Sequence, residues 1–531
     1  MADIEKTSTG QDDVINDKGT PVVAGGVHVE ELGEPDEAFV VKRKELWSYY
    51  IYYIGNSGLG PFNFAPSQFQ NLLYLAGHNL GQATTACDDS VPCVINFAGH
   101  ERTINSAVLL VNGIAFAIQV VLFLAIGSLA DFGRWRPSLL FAFTIVSIAV
   151  SFAWLGVTDP SKWQAAAALY VIGLIAYQGA LSFWTAAFPG LARNLPEMQE
   201  SRSRLISEET TTEQHNALDS LMRNRVSNVA FTVCSVGEII VIAILIGILF
   251  GVHANDSTES NTKALSTVIA YSGAVWLVCA LPWFAFEKHR PGRELPPGST
   301  FLTVGFQNLY QAAKNSKHLP DTLLYLITFF LMSDTLNTAV TVIGTLQSSV
   351  LVYNSIQLNY VLLVGIAAQA VGIYAFWLIQ KRFLLSTKTM FTAVCAFIVL
   401  LCGWGCIGNW TDKFGFKHGW EFYLYQVVYG LFVCPWYSYS QTMVSEVIPE
   451  GHAFLYFSVF ACVGKCSAFI GPFVTSAIAD RTNNTSSSFY FLFALGIVSC
   501  LFIPFINIPR SRRNCAKFLE LEKQQVYHET L

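Results

Sequence analysis

Residues Phe454 to Ala479 read FLYFSVFACVGKCSAFIGPFVTSAIA, a stretch whose one charged side chain is Lys465. At about 1.5 Å per residue, such a run is long enough as a helix to cross the roughly 30 Å hydrocarbon layer of a bilayer. A cation near the middle of that layer costs at least ~3 kcal/mol on insertion scales. A chain carries that cost where a partner charge, a wet cavity or a function offsets it. The stretch therefore predicts a membrane helix that faces protein rather than lipid.

Outward from it, the pattern repeats. The 531 residues are 53% hydrophobic and 13% charged, with a mean hydropathy of +0.43. A water-soluble chain of this length carries about twice that share of charge. Apolar runs of membrane-crossing length cover 46–77, 104–129, 138–157, 163–190, 227–251, 264–286, 321–346, 358–380, 386–407, 420–443, 454–479 and 488–508. The expected fold is an all-α membrane protein with twelve transmembrane helices in two six-helix halves, 46–286 and 321–508. A central cytosolic loop, 287–320, separates the halves, and cytosolic tails cover 1–45 and 509–531. The first span is interrupted by Gly58, Gly60, Pro61 and Pro66. A loosened helix with exposed backbone groups and a simple packing kink explain that break equally well.

Basic residues orient the bundle, because they concentrate on the cytosolic side. With the N-terminus inside, the outer loops hold Arg102, Lys162, Lys263, Lys413, Lys417 and Arg481. Every other basic residue except Lys465 then falls inside. The sequons at Asn255, Asn409, Asn483 and Asn484 all lie in the outer loops of this topology, where glycosylation occurs. The acidic first 40 residues lack the basic-then-apolar pattern of a secretory signal, and their composition predicts disorder. Cys87 and Cys93 flank a polar loop on the oxidising side, a candidate disulfide. Cys515, just past the last span, reads as an idle thiol or a palmitoylation site.

Polar groups in a membrane helix turn toward partners or water. The seventh span carries Asp334, Asn337, Thr338, Thr341 and Thr345 on one helical face. The second carries Asn105, Asn112 and Gln119. Asn56, Asn63 and Ser67 mark the first span, and Trp436, Tyr437, Tyr439, Ser440 and Gln441 the tenth. Spans three, six, nine and twelve are nearly free of strong polar groups, which suggests that they face lipid. Single amides and hydroxyls of this kind often only join helices, at about 0.6 kcal/mol each. The charged candidates are Glu238, Asp334 and Lys465. They form a structural ion pair, or they handle a proton and the two ends of a zwitterionic substrate. Candidate substrate or proton residues are thus Asn56, Glu238, Asp334, Asn337, Trp436, Gln441 and Lys465.

Two sets of motifs add a resemblance. The loop Gly127-Ser-Leu-Ala-Asp131-Phe-Gly133-Arg134-Trp-Arg136-Pro137 is similar to the signature loop of the major facilitator superfamily, one residue shorter between Asp and Gly. The resemblance implies that Asp131 can face a helix N-terminus and the arginines, latching an inner gate. Tyr52-Tyr-Ile-Gly-Asn56-Ser57-Gly58 resembles an element of the autophagy-related vacuolar amino-acid effluxers. A second match covers Ser445-Glu446-Val-Ile-Pro449-Glu-Gly451, Gly464-Lys465 and Ser467-Ala-Phe-Ile-Gly471-Pro472. In that family an Asp commonly stands where this chain has Tyr53, so no proton role carries over to that position. The resemblance implies the major facilitator fold and a vacuolar membrane location. It also implies export of amino acids, notably neutral ones, to the cytosol after autophagic breakdown, by alternating access with proton coupling left open.

The expected partners are a small-molecule substrate and the bilayer, with no nucleic acid and no cofactor or metal, and the chain is expected as a monomer. No phosphate-binding loop ends in Gly-Lys-Ser/Thr, and no Gly-x-Ser-x-Gly, His-Glu-x-x-His or Cys-x-x-Cys occurs, which argues against an ATPase or an enzyme. Gly403-Trp-Gly-Cys-Ile-Gly408 matches a dinucleotide fingerprint only formally, since it lies in an apolar span with no strand before it. The competing readings are a carrier for sugars, peptides or other small metabolites, and a non-transporting membrane sensor.

Overall fold

The computed structural model describes residues 39–87, 92–126, 135–254, 256–290, 317–352, 354–383, 385–449 and 466–530, with isolated residues between 300 and 316 and between 456 and 464. Among the described residues, nine helices are long and apolar enough to cross a membrane. They correspond to expected spans two to nine and twelve. The two remaining fully described spans are broken rather than absent.

The first span divides into α1 (Arg43–Gly55), a π-helical turn at Leu59–Phe64, and α2 (Ala65–Ala76). Gly58 supplies the break with φ of 91°, and a Cβ there would lie 2.6 Å from the Tyr177 hydroxyl oxygen. Pro61, inside the turn, has no N–H to continue an α-helical ladder. The tenth span breaks in the same manner: α13 (Gly419–Val428) gives way to a π-helical Tyr429–Val433, then α14 (Trp436–Val447). Of the eleventh span, α15 (Ile470–Thr482) is described as a continuous element. Lys465, before it, lies outside the described residues.

The remaining spans are α3 (Ile104–Ile126), α4 (Arg136–Ala153), α5 (Trp163–Thr185), α8 (Thr212–Gly251), α9 (Thr258–Phe286), α10 (Pro320–Val350), α11 (Ser355–Phe383), α12 (Thr387–Ile407) and α16 (Ser488–Phe502). Short helices α6 (Phe188–Arg193) and α7 (Pro196–Ile206) occupy the inner segment before α8. The 40-residue α8 begins well before its apolar part, where Thr211 and Gln214 form a capping box. The C-terminal tail forms α17 (Ile508–Thr530), with Cys515 buried and its thiol directed at the Val447 carbonyl. That burial leaves no thiol open for acylation.

One region was not anticipated as regular structure. Residues 78–103 form a four-stranded antiparallel sheet, ordered β2-β1-β3-β4, from β1 (His78–Asn79), β2 (Gln82–Ala86), β3 (Cys93–Phe97) and β4 (His100–Thr103). Cys87 and Cys93 are joined by a disulfide at its base. The sheet marks one end of the bundle; residues 39–45 and α17 mark the other.

At that terminal end the two halves repeat a device that the sequences do not display. Glu45, opening the first span, is gripped by Arg290, just past the sixth, through two bonds of 2.6 and 2.9 Å. Asp321, opening the seventh span, is gripped by Arg510, just past the twelfth, through bonds of 2.7 and 2.8 Å. Arg136, opening the third span, reaches Glu287 at the end of the sixth, at 2.8 Å. Lys388, opening the ninth, donates to the Ile506 carbonyl at the end of the twelfth, at 2.7 Å. Burial pushes the Glu287 carboxyl above the usual range, and the Arg136 guanidinium pulls it back. Arg136 is thus tied to Glu287, whereas Gly127, Asp131, Gly133 and Arg134 of the signature loop lie outside the described residues.

Candidate functional site

At the sheet end, side-chain hydrogen bonds join the halves. Gln70 of α2 donates its amide to Asn105 at 2.8 Å, to the Thr345 carbonyl at 2.9 Å and to Ser349 at 2.9 Å. Ser67 meets Ser348 at 2.8 Å, and Ser106 meets Ser476 at 2.9 Å. Asn105 donates to Thr485, and Arg102 of β4 pairs with Asp480. Hydroxyl and amide side chains recur along this seam. Such contacts can be exchanged for water one by one, which suits a surface that opens.

Against this seam lies a cavity of about 120 Å³ between the halves. Asn63, Ser67 and Gln70 line it from the first span, Asn112 from the second, Thr341 and Ser348 from the seventh, and Gln426 from the tenth. The lining offers amides, hydroxyls and aromatic rings, and among the described residues no charged side chain. A neutral polar wall suits a small polar solute.

The negative charge sits next to it, at the break in the first span. Gly237 of α8 packs against Ile54 so closely that a Cβ would lie 2.6 Å from that side chain. This approach brings Glu238 to the Ser57 hydroxyl. Tyr53 and Tyr177 lie within electrostatic reach of the same carboxylate, and Tyr177 is also within reach of Tyr437 in the other half. Tyr437 in turn meets the Tyr429 hydroxyl at 3.3 Å. Tyr53 stacks on Trp184 at 4.4 Å, with Phe231 edge-on at 5.5 Å. Phe62 lines the cavity and packs 6.4 Å from Tyr177, so the two regions adjoin.

The other expected site residues are placed differently. Asp334 is buried, and one carboxylate oxygen accepts the Gly471 backbone N–H at 3.0 Å and the Thr338 hydroxyl at 3.1 Å. It therefore caps the first turn of α15 from the neighbouring helix, a role the residue type fits. Asn337 donates to Ser333 at 3.3 Å along its own helix. Trp436 is enclosed between Phe329 and Phe391, stacked on both, so its ring faces serve the core of the second half. Gln441 is exposed one turn beyond Tyr437. Asn56 is fully buried with neither amide atom hydrogen-bonded, on the helix face of Tyr52, which bonds Thr144 of α4. That face looks into the first half and not between the halves.

Of the sequon asparagines, Asn255 lies outside the described residues. Asn409 and Asn484 bond each other at 3.1 Å, and Asn409 also donates to the Ser486 carbonyl at 2.9 Å. Asn483 is exposed in the left-handed conformation that ends α15.

Sequence reasoning passed over four residues that the structure makes central. Gln70 and Tyr177 looked like ordinary polar and aromatic positions of long apolar runs. Tyr437 was noted only as one of a stripe. Glu421, at the edge of the tenth span, accepts backbone N–H groups from Gly415, Phe416, Lys417 and His418, plus the Trp404 indole. The signal for Glu421 was there, a carboxylate six residues after Gly415 in a loop, but its partners are set by the loop's fold.

The sequence profile described as vacuole effluxer Atg22 like matches residues 41–516. The chain is 24% identical to Autophagy-related protein 22 of Coccidioides immitis, covering 81% of this chain and 76% of that one. It is 22% identical to Autophagy-related protein 22 of Neurospora crassa, covering 90% and 73%. Among solved structures, the peptide transporter POT in complex with sulfate aligns with a TM-score of 0.55 at 11% identity, covering 92% of this chain and 99% of that one. The xylose transporter XylE from E. coli aligns at 0.52 and 12% identity, covering 86% and 96%. At such identities these likenesses establish the transporter fold alone.

Proposed function

This chain belongs to the vacuole effluxer Atg22-like family, and we propose that it exports amino acids from the vacuole lumen to the cytosol. The profile match across residues 41–516 carries this reading, because it spans both halves and the cavity between them. The fold supports transport rather than a chemical step: two helical halves meet at a polar seam with a neutral cavity behind it. With the sheet end toward the lumen and the termini in the cytosol, the closed seam is the luminal gate. Alternating access then requires the seam to part while the terminal end closes. The paired clamps at Glu45 and Asp321 keep each half rigid during that movement. Neutral amino acids suit the uncharged cavity wall best.

The reading is tested with purified protein in liposomes, preloaded with a panel of labelled amino acids and assayed for efflux with and without an inward-acid pH gradient. Efflux of neutral amino acids above that from protein-free liposomes is expected. Efflux of a sugar or a nucleoside, with no amino-acid flux, would replace this substrate class by another. Binding without flux would make the protein a sensor.

A further inference from the structure

We propose that Glu238, at the break of the first span, is the subsite that receives the ammonium group of the substrate. The inference rests on the amino-acid reading above and specifies which part of the substrate this pocket holds. Three features of the pocket each favour a cation. The carboxylate of Glu238 lies at the Ser57 hydroxyl, and among the described residues no basic side chain neutralises it. Helix α1 ends at Gly55 with no basic residue in its last turn, so its negative dipole end is directed at the same break. Aromatic rings complete the surroundings: Tyr53, backed by Trp184 and Phe231, and Tyr177, whose hydroxyl donates to the Ser57 carbonyl at 3.5 Å. Ring faces attract ammonium groups through their quadrupoles.

The placement agrees with how such a group would arrive. Glu238 is partly exposed rather than sealed, and its neighbour Tyr177 packs 6.4 Å from Phe62, which lines the neutral cavity. A largely buried carboxylate with no counter-ion among the described residues is poorly solvated, and a ligand ammonium restores both charge balance and hydrogen bonding. Asp334 is less suited to this task, since one of its oxygens already holds the Gly471 N–H and the Thr338 hydroxyl. Tyr437, in the opposite half, lies within electrostatic reach of Tyr177 and offers a hydroxyl to the rest of the molecule.

The test compares a neutral amino acid with its α-hydroxy acid counterpart, which carries an uncharged hydroxyl in place of the ammonium group. Both are used as competitors of labelled amino-acid binding to purified full-length protein, wild type and Glu238→Gln. Wild type should prefer the amino acid by about tenfold or more, the scale of one charge-assisted hydrogen bond. Glu238→Gln should bind both equally, with an unchanged melting temperature. Tyr177→Phe, which keeps the ring, should retain the preference. Full discrimination by Glu238→Gln overturns the subsite and leaves the amino-acid reading intact. Loss of pH-dependent flux in that variant with discrimination intact also overturns it, in favour of a proton site. Wild-type protein that binds no amino acid removes the reading and the subsite together.

Discussion

Asp334 of the seventh span accepts the backbone N–H of Gly471 at 3.0 Å, so one helix supplies the cap for another in the middle of the bundle. The contact needs glycine: a Cβ at position 471 would lie 1.8 Å from the Thr338 hydroxyl oxygen and 2.6 Å from the Asp334 carboxylate. Gly471→Ala should force the seventh and eleventh spans apart at a cost of about 1–3 kcal/mol. Asp334→Asn, which keeps an acceptor oxygen, should cost less than Asp334→Ala. Melting temperatures in detergent rank the three.

The two N–H groups of Gln70 Nε2 are shared among three acceptors across or beside the seam, and each hydrogen bond has a net worth of about 0.5–1.5 kcal/mol. Gln70→Ala should weaken the closed sheet end by about 2 kcal/mol, a shift of roughly 30-fold in the open population. Paired spin labels at positions 82 and 412, in opposite halves, report this as a longer distance component. An unchanged distance distribution would show that Gln70 does not hold the gate.

The two clamps at the terminal end should not be equal. Arg290 is 12% exposed over a Glu45 that is 2% exposed, whereas Arg510 is 49% exposed over Asp321. Removing a buried partner leaves a buried charge unpaired, at about 3–5 kcal/mol. Arg290→Ala should therefore destabilise by an amount of that order. Arg510→Ala should destabilise less, because water reaches Asp321 once the guanidinium is gone. Expression level and thermal unfolding of the two variants decide the order.

Glu421 gathers five N–H donors on two oxygens. Glu421→Gln replaces one acceptor oxygen by a donor and sets it against N–H groups it cannot bond. A loss of about 2–4 kcal/mol is expected, with the 408–418 loop loosened first. Faster hydrogen exchange at Phe416 and His418, with the bundle's protection retained, would identify the loop as the site of damage.

Much of the architecture was legible because a bilayer leaves few options. Every backbone polar group must be satisfied within its own segment, so long apolar runs become helices. The break at Gly58–Pro61 was visible for the same local reason: one residue has φ freedom and the other lacks an N–H. Periodicity did not reveal the π turn at Tyr429–Val433 or the sheet at 78–103, because both depend on contacts between segments. The role of each polar residue was the least legible. Asp334 and Glu238 look alike as single carboxylates in apolar helices, yet one caps a neighbouring helix and the other meets the Ser57 hydroxyl at the break of the first span.

By itself, then, the sequence determined what the chain is made of: a series of membrane-crossing helices, and a family resemblance that the profile match bears out. Length, hydropathy and charge placement are local quantities and can be read in one dimension. Only the tertiary structure decided which groups meet. Gln70 against Thr345, Glu45 under Arg290 and Glu238 beside Ser57 are separated by 181 to 275 positions in the chain. Whether a buried carboxylate is a cap, a clamp or a binding group depends on the donors around it. Those donors come from other helices, and packing alone brings them there.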